Sequence, residues 1–438
     1  MSTGTMRNSG IEWIGDVPAH WEFKRLKYTS TLAGRIGWQG LTSEEYRTEG
    51  VHLVTGTDFK KGRIDWDSCV RVSEARWAEA AQVQLREGDL LITKDGTVGK
   101  VAICRNMPNK ASLNSGVMVI RQKVPMSTRF LYWVLHSSVF RGWFSDVNAG
   151  ASTISHLYQA DFYNFGFYMP PTVREQEQVA SLLDAKTAKI DQAMGVLHRE
   201  LETMEQLKKS LIYEAVTKGL APSVRMKPSG VQWIGDIPEQ WRTTRIKYIA
   251  SAWNGLTYDP ADVSETGTPV LRSGNIQNGE LDLQDLVRVS GRIPEKALAR
   301  AGDVLICSRN GSRSLIGKNA LIQEGGFAFG AFMMIARPKI NSKYFHYVLN
   351  SGVFDFYLPT YLTSTVNQLT VANFGNMTVP VADDPNKQEA IARKLDEECT
   401  VFDESIKIKL SQLSILEQQR KSVIFEYVTG KRRVSEVE

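Results

Sequence analysis

Two segments of the chain decide its fold: SGIEWIGDVPAHWEFKRLKY at residues 9–28 and SGVQWIGDIPEQWRTTRIKY at residues 229–248. The numbering offset between them is 229 − 9 = 220, and eleven of the twenty positions are identical. The identical positions include two tryptophans, a glycine and a proline, and several of the remaining exchanges replace one aliphatic residue by another. The chain of 438 residues therefore contains an internal repeat whose period is about half its length.

The repeat continues along the whole chain, but its period drifts. Four later pairs of segments match: 71–92 with 288–306, 128–140 with 342–354, 150–162 with 362–374, and 209–217 with 421–429. The offset is 220 at the start and 421 − 209 = 212 at the end. Such a long period excludes a solenoid. It indicates two copies of a domain pair, each with a fixed frame and a variable interior.

Composition excludes several classes of protein. The chain is 42% hydrophobic and 23% charged, which is ordinary for a globular protein. It has no apolar run of about 20 residues that could span a membrane, and its N-terminus has no apolar signal-peptide core. The net charge of +5 permits a nucleic-acid partner without requiring one.

The four cysteines lie far apart in the sequence. Their spacing matches neither a zinc site nor a disulfide framework, which favours reduced thiols in the cytoplasm. They are Cys69, Cys104, Cys307 and Cys399.

Each repeat divides into a domain of mixed α and β structure and a long helix. Segments such as VHLVTGTDFKKGRIDW (51–66) and GDLLITKDGTVGKVAI (88–103) alternate apolar runs with turn residues, which predicts strands and turns. The segment RFLYWVLHSSVF (129–140) predicts a helix packed on those strands. We call the two domains head 1 (residues 9–171) and head 2 (residues 229–385).

A capping pattern marks the first long helix. Thr172 is a good N-cap residue, and Glu175 three positions later completes a capping box. The pattern continues without proline to Lys218, where Gly219 ends it. The second helix is predicted over 386–430, although its start lacks the Pro-Pro and capping-box form of the first.

One apolar stripe follows each long helix at heptad spacing, which predicts a helical partner. The other copy is the obvious partner, because the two stripes correspond at the same offset as the end of the repeat. Lys409 is the single break in the second stripe, and we expect Leu410 beside it to compensate. The stripe residues are Leu183, Ile190, Met194, Leu197, Leu201, Met204 and Leu211, with Leu395, Phe402, Ile406, Leu413, Leu416 and Val423.

These patterns predict an α+β fold class. Two similar mixed α/β domains are joined by two long helices that pair as an antiparallel coiled coil, with internal pseudo-two-fold symmetry. Each helix of about 45 residues would be roughly 70 Å long. The predicted segments are a loose N-terminal tail (1–8), head 1 (9–171), a central long helix (172–218), a linker (219–228), head 2 (229–385), a C-terminal long helix (386–430) and a tail (431–438).

The ordered set of repeated motifs resembles the specificity subunit of type I restriction–modification systems. The resemblance covers essentially the whole chain. It is carried by WIGDVPAHW and WIGDIPEQW, by GDLLITKDGTVGK and GDVLICSRNGSRSLIGK, by STIS and STVN, and by PPTVREQEQVASLLD before the heptad helix. Each motif alone is weak, but their order, occurring twice, is specific.

The resemblance implies a role in reading DNA. Each head would be a target recognition domain that reads one half of a split double-stranded DNA site, and the helices would fix the spacing. Two modification subunits would bind the helices, use S-adenosylmethionine and methylate adenine, and a motor-nuclease restriction subunit can join them. The chain itself would need no cofactor or metal and would act in the cytoplasm.

Two sequence features only superficially suggest catalysis. GTVGK (96–100) and GSRSLIGK (311–318) lack the spacing and the hydroxyl residue of a phosphate-binding loop. MPPT (169–172) lacks the polar residue and the aromatic ring of an amino-methyltransferase motif. We therefore predict no catalytic site in this chain.

Polar and basic residues in equivalent turns of the two heads are the candidates for reading DNA. Bases are read by donors and acceptors, while cations position the protein on phosphates. The head 1 candidates are Thr57, Asp58, Lys60, Lys61, Arg63, Lys94, Thr97, Lys100, Ser152, Thr153 and His156. The head 2 candidates are Arg272, Ser273, Asn275, Gln277, Arg309, Asn310, Arg313, Lys318, Ser364, Thr365 and Gln368.

Two other functions remain open from the sequence alone. A stand-alone DNA methyltransferase or restriction enzyme would modify DNA without a partner. A coiled-coil adaptor would bind only proteins, and its polar loops would be passive. Testing the purified chain with DNA and S-adenosylmethionine separates the first from a specificity subunit, and testing for a sequence-specific DNA complex separates the second.

Overall fold

The computed structural model describes residues 5–35, 40–149, 156–221, 223–362 and 367–434. It confirms the mixed α and β fold class with two long helices. The chain forms two compact units. Unit 1 comprises Met1–Leu197 with Ser411–Glu438, and unit 2 comprises His198–Leu410. Both boundaries fall inside the long helices, so each unit contains one head and part of each helix; the seven-segment division stays a prediction.

Among its described residues, unit 1 contains thirteen strands, five complete α-helices and parts of the two long helices. The strands are β1 (Met6–Asn8), β2 (Asp16–Pro18), β3 (Glu22–Arg25), β4 (Ser30–Gly34), β5 (Val51–Val54), β6 (Phe59–Lys60), β7 (Arg63–Ile64), β8 (Val70–Val72), β9 (Leu90–Thr93), β10 (Val101–Ile103), β11 (Ala111–Leu113), β12 (Val117–Gln122) and β13 (Gly166–Met169). The helices are α1 (Leu26–Thr29), α2 (Glu74–Ala78), α3 (Thr128–His136), α4 (Ser138–Val147), α5 (Gln159–Phe162) and α6 (Val173–Lys218).

The main sheet of head 1 has the strand order β4-β12-β9-β10-β7-β6, and a second sheet has the order β11-β5-β8. Strand β9 is a continuous apolar run because both of its faces are covered. Leu90 and Ile92 join the same buried cluster as α3 and α4, whereas Leu91 points into a second cluster on the other face.

Unit 2 repeats this plan. Its strands are β14 (Met226–Pro228), β15 (Asp236–Pro238), β16 (Arg242–Arg245), β17 (Ala250–Asn254), β18 (Val263–Ser264), β19 (Thr268–Leu271), β20 (Ile276–Gln277), β21 (Glu280–Leu281), β22 (Val287–Val289), β23 (Val304–Cys307), β24 (Asn319–Leu321), β25 (Ala328–Phe329), β26 (Met333–Pro338) and β27 (Thr378–Val381). Its helices are α7 (Ile246–Ile249), α8 (Ser342–Val348), α9 (Phe354–Tyr361), α10 (Val371–Asn376) and α11 (Pro385–Val428). The order β17-β26-β23-β24 matches β4-β12-β9-β10, and β22-β19-β25 matches β8-β5-β11.

The repeated opening segment forms the same structure in both heads. Strands β1 and β2 pair with Met6 opposite Pro18, and β14 and β15 pair with Met226 opposite Pro238. Gly15 and Gly235 both have φ +69°, a backbone conformation that favours glycine. The following tryptophans, at positions 21 and 241, are buried. The segment is therefore repeated because each head begins with the same pair of strands and the same buried tryptophan.

In unit 1 the two long helices run antiparallel. The Arg420 Nε lies 2.7 Å from the Asp191 Oδ1, and the Lys186 Nζ lies 5.9 Å from the centroid of the Tyr427 ring. Residue numbers therefore decrease along α6 in the direction in which they increase along α11. The last turns of α11 belong to the core of head 1, and Gly430, with φ +68°, closes the helix against Pro18.

In unit 2 the helices also run antiparallel. The Lys409 Nζ donates to the Glu200 Oε2 at 2.6 Å, and the Lys208 Nζ donates to the Asp403 Oδ1 at 2.6 Å. Here the last turns of α6 belong to the core of head 2, and the Tyr213 hydroxyl donates to the carbonyl of Ile234. The end of α6 thus packs on head 2 and the end of α11 packs on head 1, an exchange that the repeat alone did not reveal.

α6 spans Val173–Lys218 and α11 spans Pro385–Val428, beside the predicted 172–218 and 386–430, but the predicted capping box is not formed. α6 begins at Val173 after Thr172, whose Oγ1 accepts from the Glu175 N–H at 3.2 Å. The Glu175 carboxylate does not return the bond; its Oε1 accepts from the Trp21 indole N–H at 3.0 Å. Glu175 therefore fastens the helix to the opening segment of head 1.

Four further expectations need correction. Residues 6–8 form β1 instead of a loose tail, and residues 226–228 of the expected linker form β14. Leu410 does not compensate for Lys409, because Leu410 is 50% exposed and the lysine pairs with Glu200. The segment 129–140 forms two helices, since extended backbone at Ser137 (ψ 172°) ends α3 and starts α4.

The predicted heptad residues are all buried or half-buried. Leu183 and Leu395 are fully buried, and Leu201 and Leu413 are 8% and 6% exposed. Four apolar residues near the helix ends are also buried and were missed, because they contact the heads where each helix ends. They are Ile212, Val216, Ile424 and Val428.

Candidate nucleic-acid interface

Four loops meet at one end of each head; three of them border strands, and the fourth, loop C, precedes the short helix α5 or α10. In head 1 they are loop A (55–58), loop B (94–100), loop C (156–158) and loop D (114–116). In head 2 they are loop A (272–275), loop B (308–318), loop C (367–369) and loop D (330–332). We call the surface formed by these loops the loop edge of the head.

Backbone hydrogen bonds hold the loops of head 1 together. The N–H of Asn114 in loop D donates to the carbonyl of Val54, which immediately precedes loop A, at 2.9 Å. The N–H of Lys94 in loop B donates to the carbonyl of Gly116 in loop D at 2.9 Å. Loop C joins loop B through the Leu157 N–H and the Lys94 carbonyl, 3.0 Å apart, and through the contact between the His156 ring and the Asp95 carboxylate.

The equivalent bonds occur in head 2. The Gly330 N–H in loop D donates to the carbonyl of Leu271 before loop A at 3.1 Å. Loops B and C meet where the Leu369 N–H donates to the Ser308 carbonyl at 2.7 Å. The Asn310 side-chain amide also reaches the Ser273 hydroxyl, 3.3 Å away, so loops A and B touch directly. Both heads therefore gather four loops from distant parts of the sequence into one surface.

Loop B is a hairpin connection that contains GTVGK in head 1 and GSRSLIGK in head 2. In head 1 the buried Thr93 fixes it, because the Thr93 hydroxyl donates to the Thr97 carbonyl at 2.6 Å and accepts from the Lys100 N–H at 2.9 Å. Gly99 and Gly317 take φ +84° and +86°, and a Cβ on either would meet an aromatic ring, of Phe140 or Phe354, at 2.9 Å. Glycine is required at these positions because of both the backbone conformation and the ring.

Two of the candidate residues hold turns. The Asp58 Oδ2 accepts from the Thr55 N–H at 2.7 Å, and Asp58 is 2% exposed. The Asn275 Oδ1 likewise accepts from the Arg272 N–H at 2.9 Å, and Asn275 is 3% exposed. Their side chains are used inside the head, so we leave both out of the surface that we propose to touch DNA.

A second group of candidates lies on a small hairpin. Lys60, Lys61 and Arg63 belong to the β6–β7 hairpin, which strand β10 separates from β9 and its loop B. The Lys60 Nζ also donates to the Asp65 Oδ2 at 2.8 Å. Gln277 occupies the matching β20–β21 hairpin of head 2. The sequence placed these residues with loop A, whereas the structure puts them to one side of the loop edge.

The remaining described candidates lie on the loop edge. In head 1 they are Thr57, Lys94, Thr97, Lys100 and His156, and in head 2 they are Arg272, Ser273, Arg309, Asn310, Arg313, Lys318 and Gln368. Ser152, Thr153, Ser364 and Thr365 lie outside the described residues, and their role stays a prediction. Loop D was missed, because its residues 114–116 and 330–332 show no basic or repeated pattern in the sequence.

Burial raises the pKa of all four cysteine thiols. Burial raises the pKa of Cys69 to about 12 and that of Cys399 to about 11. All four cysteines are buried and free. Within the described ranges no cluster of three His, Cys, Asp or Glu side chains could hold a metal ion, and no helix there is long and apolar enough to cross a membrane.

Comparison with known proteins gives one consistent family. Residues 45–199 match the model of the type I restriction modification DNA specificity domain. Over 432 residues the chain is 23% identical to the type I restriction enzyme MjaVIII specificity subunit of Methanocaldococcus jannaschii, a match that covers 95% of this chain and 94% of that protein. It is 29% identical over 208 residues to the EcoKI specificity subunit of Escherichia coli, a match that covers 45% of this chain and 44% of that protein.

Over nearly its whole length the chain is similar to type I restriction–modification specificity subunits, and residues 45–199 match the DNA specificity domain of that family. A solved structure concerned with complex assembly and conformational transition of the type I R-M system shares the fold. Its TM-score is 0.68 at 16% identity, covering 95% of this chain and 99% of that one. A specificity subunit is the non-catalytic part of its system, so this function is favoured over a stand-alone methyltransferase or a protein-only adaptor.

Proposed function

We propose that this specificity subunit reads a bipartite double-stranded DNA target, with the loop edge of each head reading one half. The supporting observation is that the loop edges share their backbone hydrogen bonds and differ in their side chains. The same loops present Thr57, Thr97 and His156 in head 1, and Ser273, Asn310 and Gln368 in head 2. A constant scaffold with changed donors and acceptors is what two different half-sites require.

Basic side chains on each edge supply the second requirement, which is contact with the DNA backbone. Lys100 in head 1 and Lys318 in head 2 end the same hairpin connection, just before β10 and β24. Arg313 adds an exposed cation in the longer loop B of head 2. In our proposal these cations lie against phosphates and position the heads, while neighbouring amides and hydroxyls reach base edges.

The helices are proposed to set the distance between the half-sites. Within unit 1 the Asp191–Arg420 pair fixes their antiparallel register, and within unit 2 the Glu200–Lys409 pair does so. The 46 residues of α6 correspond to a length of about 70 Å. Because a helix resists bending, the paired segments would keep the unread gap constant.

We propose that two modification subunits bind to the same helices. Val401 and Ile408 of α11 are 63% and 61% exposed and are two helical turns apart, so they occupy one face of the helix. Leu207 of α6 is 54% exposed and lines a groove of about 470 Å³ with Val401 and Phe402. Such apolar surface is typical of a protein-binding site. The modification subunits would bring S-adenosylmethionine and the adenine-methylating site. A motor-nuclease subunit can join this complex. The free thiols fit a cytoplasmic location.

Methylome sequencing of cells that produce this chain with its modification subunit tests the proposal. We expect methylated adenines in one bipartite motif with a fixed gap, and no methyl transfer by the purified chain alone with DNA and S-adenosylmethionine. Binding should weaken steeply as salt rises, because phosphate contacts release counterions. Methylation by the chain alone, or DNA binding by the assembled complex without sequence preference, would overturn the proposal.

A further inference from the structure

An aromatic side chain is exposed on the loop edge of head 2. Phe332 in loop D is 57% exposed, although most phenylalanines of unit 2 are buried. Its backbone is held firmly, because the Phe332 carbonyl accepts from the Ser308 N–H at 3.0 Å, the Arg309 N–H at 3.1 Å and the Ser308 hydroxyl at 2.9 Å. The ring therefore projects from a fixed platform between loops B and D.

Arg309 is coupled to this ring. The Arg309 Cζ lies 5.0 Å from the centroid of the Phe332 ring, within the range of a cation–π contact. The Arg309 backbone also pairs with that of Gln368 in loop C. Both side chains are exposed, so the ring and the guanidinium are presented together as one surface.

Head 1 has different residues at the same two places. Strand pairing aligns Val117 and Thr93 in head 1 with Met333 and Cys307 in head 2. Counting outward from these pairs, Gly116 takes the place of Phe332, and Asp95 takes the place of Arg309. The head 1 edge thus has no ring there, and its charge is reversed, with Asp95 paired to His156.

We propose that Phe332 and Arg309 read one step of the half-site assigned to head 2. In the major groove the thymine C5-methyl is the apolar group that a base pair presents, and phenylalanine is a known partner for it. Guanine offers O6 and N7 to the fork of an arginine. Phe332 packs on a thymine methyl while Arg309 donates to a neighbouring guanine. This inference rests on the proposed function and adds the bases that this part of the edge selects.

Replacing thymine by deoxyuracil removes only the methyl group, so it tests the inference directly. Each thymine of the mapped target is replaced in turn, and affinity is measured for the full chain bound to its modification subunit. One substitution should weaken binding about fourfold, the value expected for losing one buried methyl. In the Phe332→Ala variant the same deoxyuracil should not change the affinity. In the Phe332→Leu variant the deoxyuracil should again weaken binding, but by less than in the parent.

Tyr248→Ala is the matched control. Tyr248 is 62% exposed and has the Lys247 Nζ 5.4 Å from its ring centroid, so it resembles the Phe332–Arg309 pair. Tyr248 lies just before β17, and the first residue of β17 pairs with Pro338, the last residue of β26. Phe332 lies just before the first residue of β26, so the two aromatic residues are at opposite ends of that strand. Tyr248→Ala should leave the deoxyuracil effect unchanged.

Several results would overturn the inference. They are a head 2 half-site in which no thymine neighbours a guanine, a scan in which no deoxyuracil weakens binding by more than twofold, and a deoxyuracil effect that persists in Phe332→Ala. If Phe332→Ala weakens binding equally for all DNA sequences, the ring contacts the DNA backbone or inserts between bases instead of contacting a thymine methyl. If the parent complex does not prefer its target over random DNA, the proposed function itself fails, which is a separate outcome.

Discussion

Head 1 and head 2 contain the same ion pair, between a buried aspartate and a partly exposed arginine, at the same place in the sheet. In head 1 Arg121 binds both carboxylate oxygens of Asp89, at 2.9 and 2.6 Å. In head 2 Arg337 binds both oxygens of Asp303, at 2.7 Å each. Each aspartate also accepts from the backbone N–H three residues earlier.

The junction between head and helix is likewise duplicated. The Gln176 amide accepts from the Ser127 N–H at 2.9 Å and donates to the carbonyl of Pro170, just after β13, at 2.9 Å. Gln388 does the same with the Asn341 N–H at 3.0 Å and the carbonyl of Ala382. These contacts repeat with little change between the heads, whereas the loop edges exchange a ring for a glycine and an arginine for an aspartate.

The difference teaches which positions the duplication has constrained. A buried charge or amide loses more free energy when its partner is removed than an exposed one, so the frame tolerates little variation. Exposed loop residues can change without loss of stability. The two heads therefore act as an internal comparison that separates structural residues from those proposed to read DNA.

The largest effect is expected in the helix seam. Leu201 and Leu413 occupy equivalent positions of the repeat, and both are buried. Leu201→Asp or Leu413→Asp should lower the free energy of unfolding by about 3–5 kcal/mol, because each buries a charge without a partner. Chemical denaturation of the full chain measures this. Leu207→Asp is the control on the same helix, since Leu207 is 54% exposed and should change stability by under about 0.5 kcal/mol. If the two seam variants lower the free energy of unfolding by clearly different amounts, the two copies of the helix are not equivalent in the seam.

A smaller effect is expected at the buried aspartates. Asp303→Ala and Asp89→Ala should each cost about 3 kcal/mol, because an arginine and a backbone N–H lose their acceptor. The control is Arg300→Ala, whose partner Glu295 has an 84% exposed side chain, so the loss should stay below about 1 kcal/mol. Hydrogen exchange should locate the loosening in β23 and β26 for Asp303→Ala and in β9 and β12 for Asp89→Ala. Loosening in both heads from one substitution would contradict independent frames.

Acid should destabilise both heads through different histidines. Burial lowers the pKa of His136 in head 1 and of His346 in head 2 to about 4, while the unfolded value is about 6.5. The unfolded chain therefore gains protons first, and stability present above pH 6.5 is lost as pH falls toward 4. By pH 5 each histidine should cost about 2 kcal/mol.

Substitution by the equivalent residue of the other head tests this pH dependence. His136 corresponds to Asn350, and His346 corresponds to Tyr132. Thermal unfolding between pH 7.5 and 5 should show a flatter pH dependence for His136→Asn and for His346→Tyr than for the parent. Equal slopes in the parent and in both variants would show that these histidines are not buried in the neutral form.

The smallest effect is expected at the one polar break in the seam. Lys409 takes the place that Leu197 has in the first helix, and its partner Glu200 has a 46% exposed side chain. Lys409→Leu should change the free energy of unfolding by less than about 1 kcal/mol, because an exposed ion pair contributes little. A loss above about 2 kcal/mol, measured by denaturation, would exceed the range of an exposed pair and mean that this pair is essential to the register.

Much of the frame could be predicted from the sequence. The heptad stripe, the long helices with their terminal glycines and the strand-rich heads follow from local periodicity and turn residues. The exchange of helix ends between heads could not be predicted, because it depends on which tertiary surfaces meet. The roles of Asp58 and Asn275 were also hidden, since a buried turn residue and an exposed reading residue look alike in a sequence. Phe332 was missed because an isolated phenylalanine usually indicates core.

The central claim is that each head reads its half of the target independently, and one measurement tests it most directly. Residues 250–370 of head 2 are replaced by the same region of a related specificity subunit, and the methylome is sequenced in cells that also produce the modification subunit. We predict that one half of the bipartite motif changes while the other half and the gap between them stay the same. A motif in which both halves change, or in which neither does, would contradict the claim.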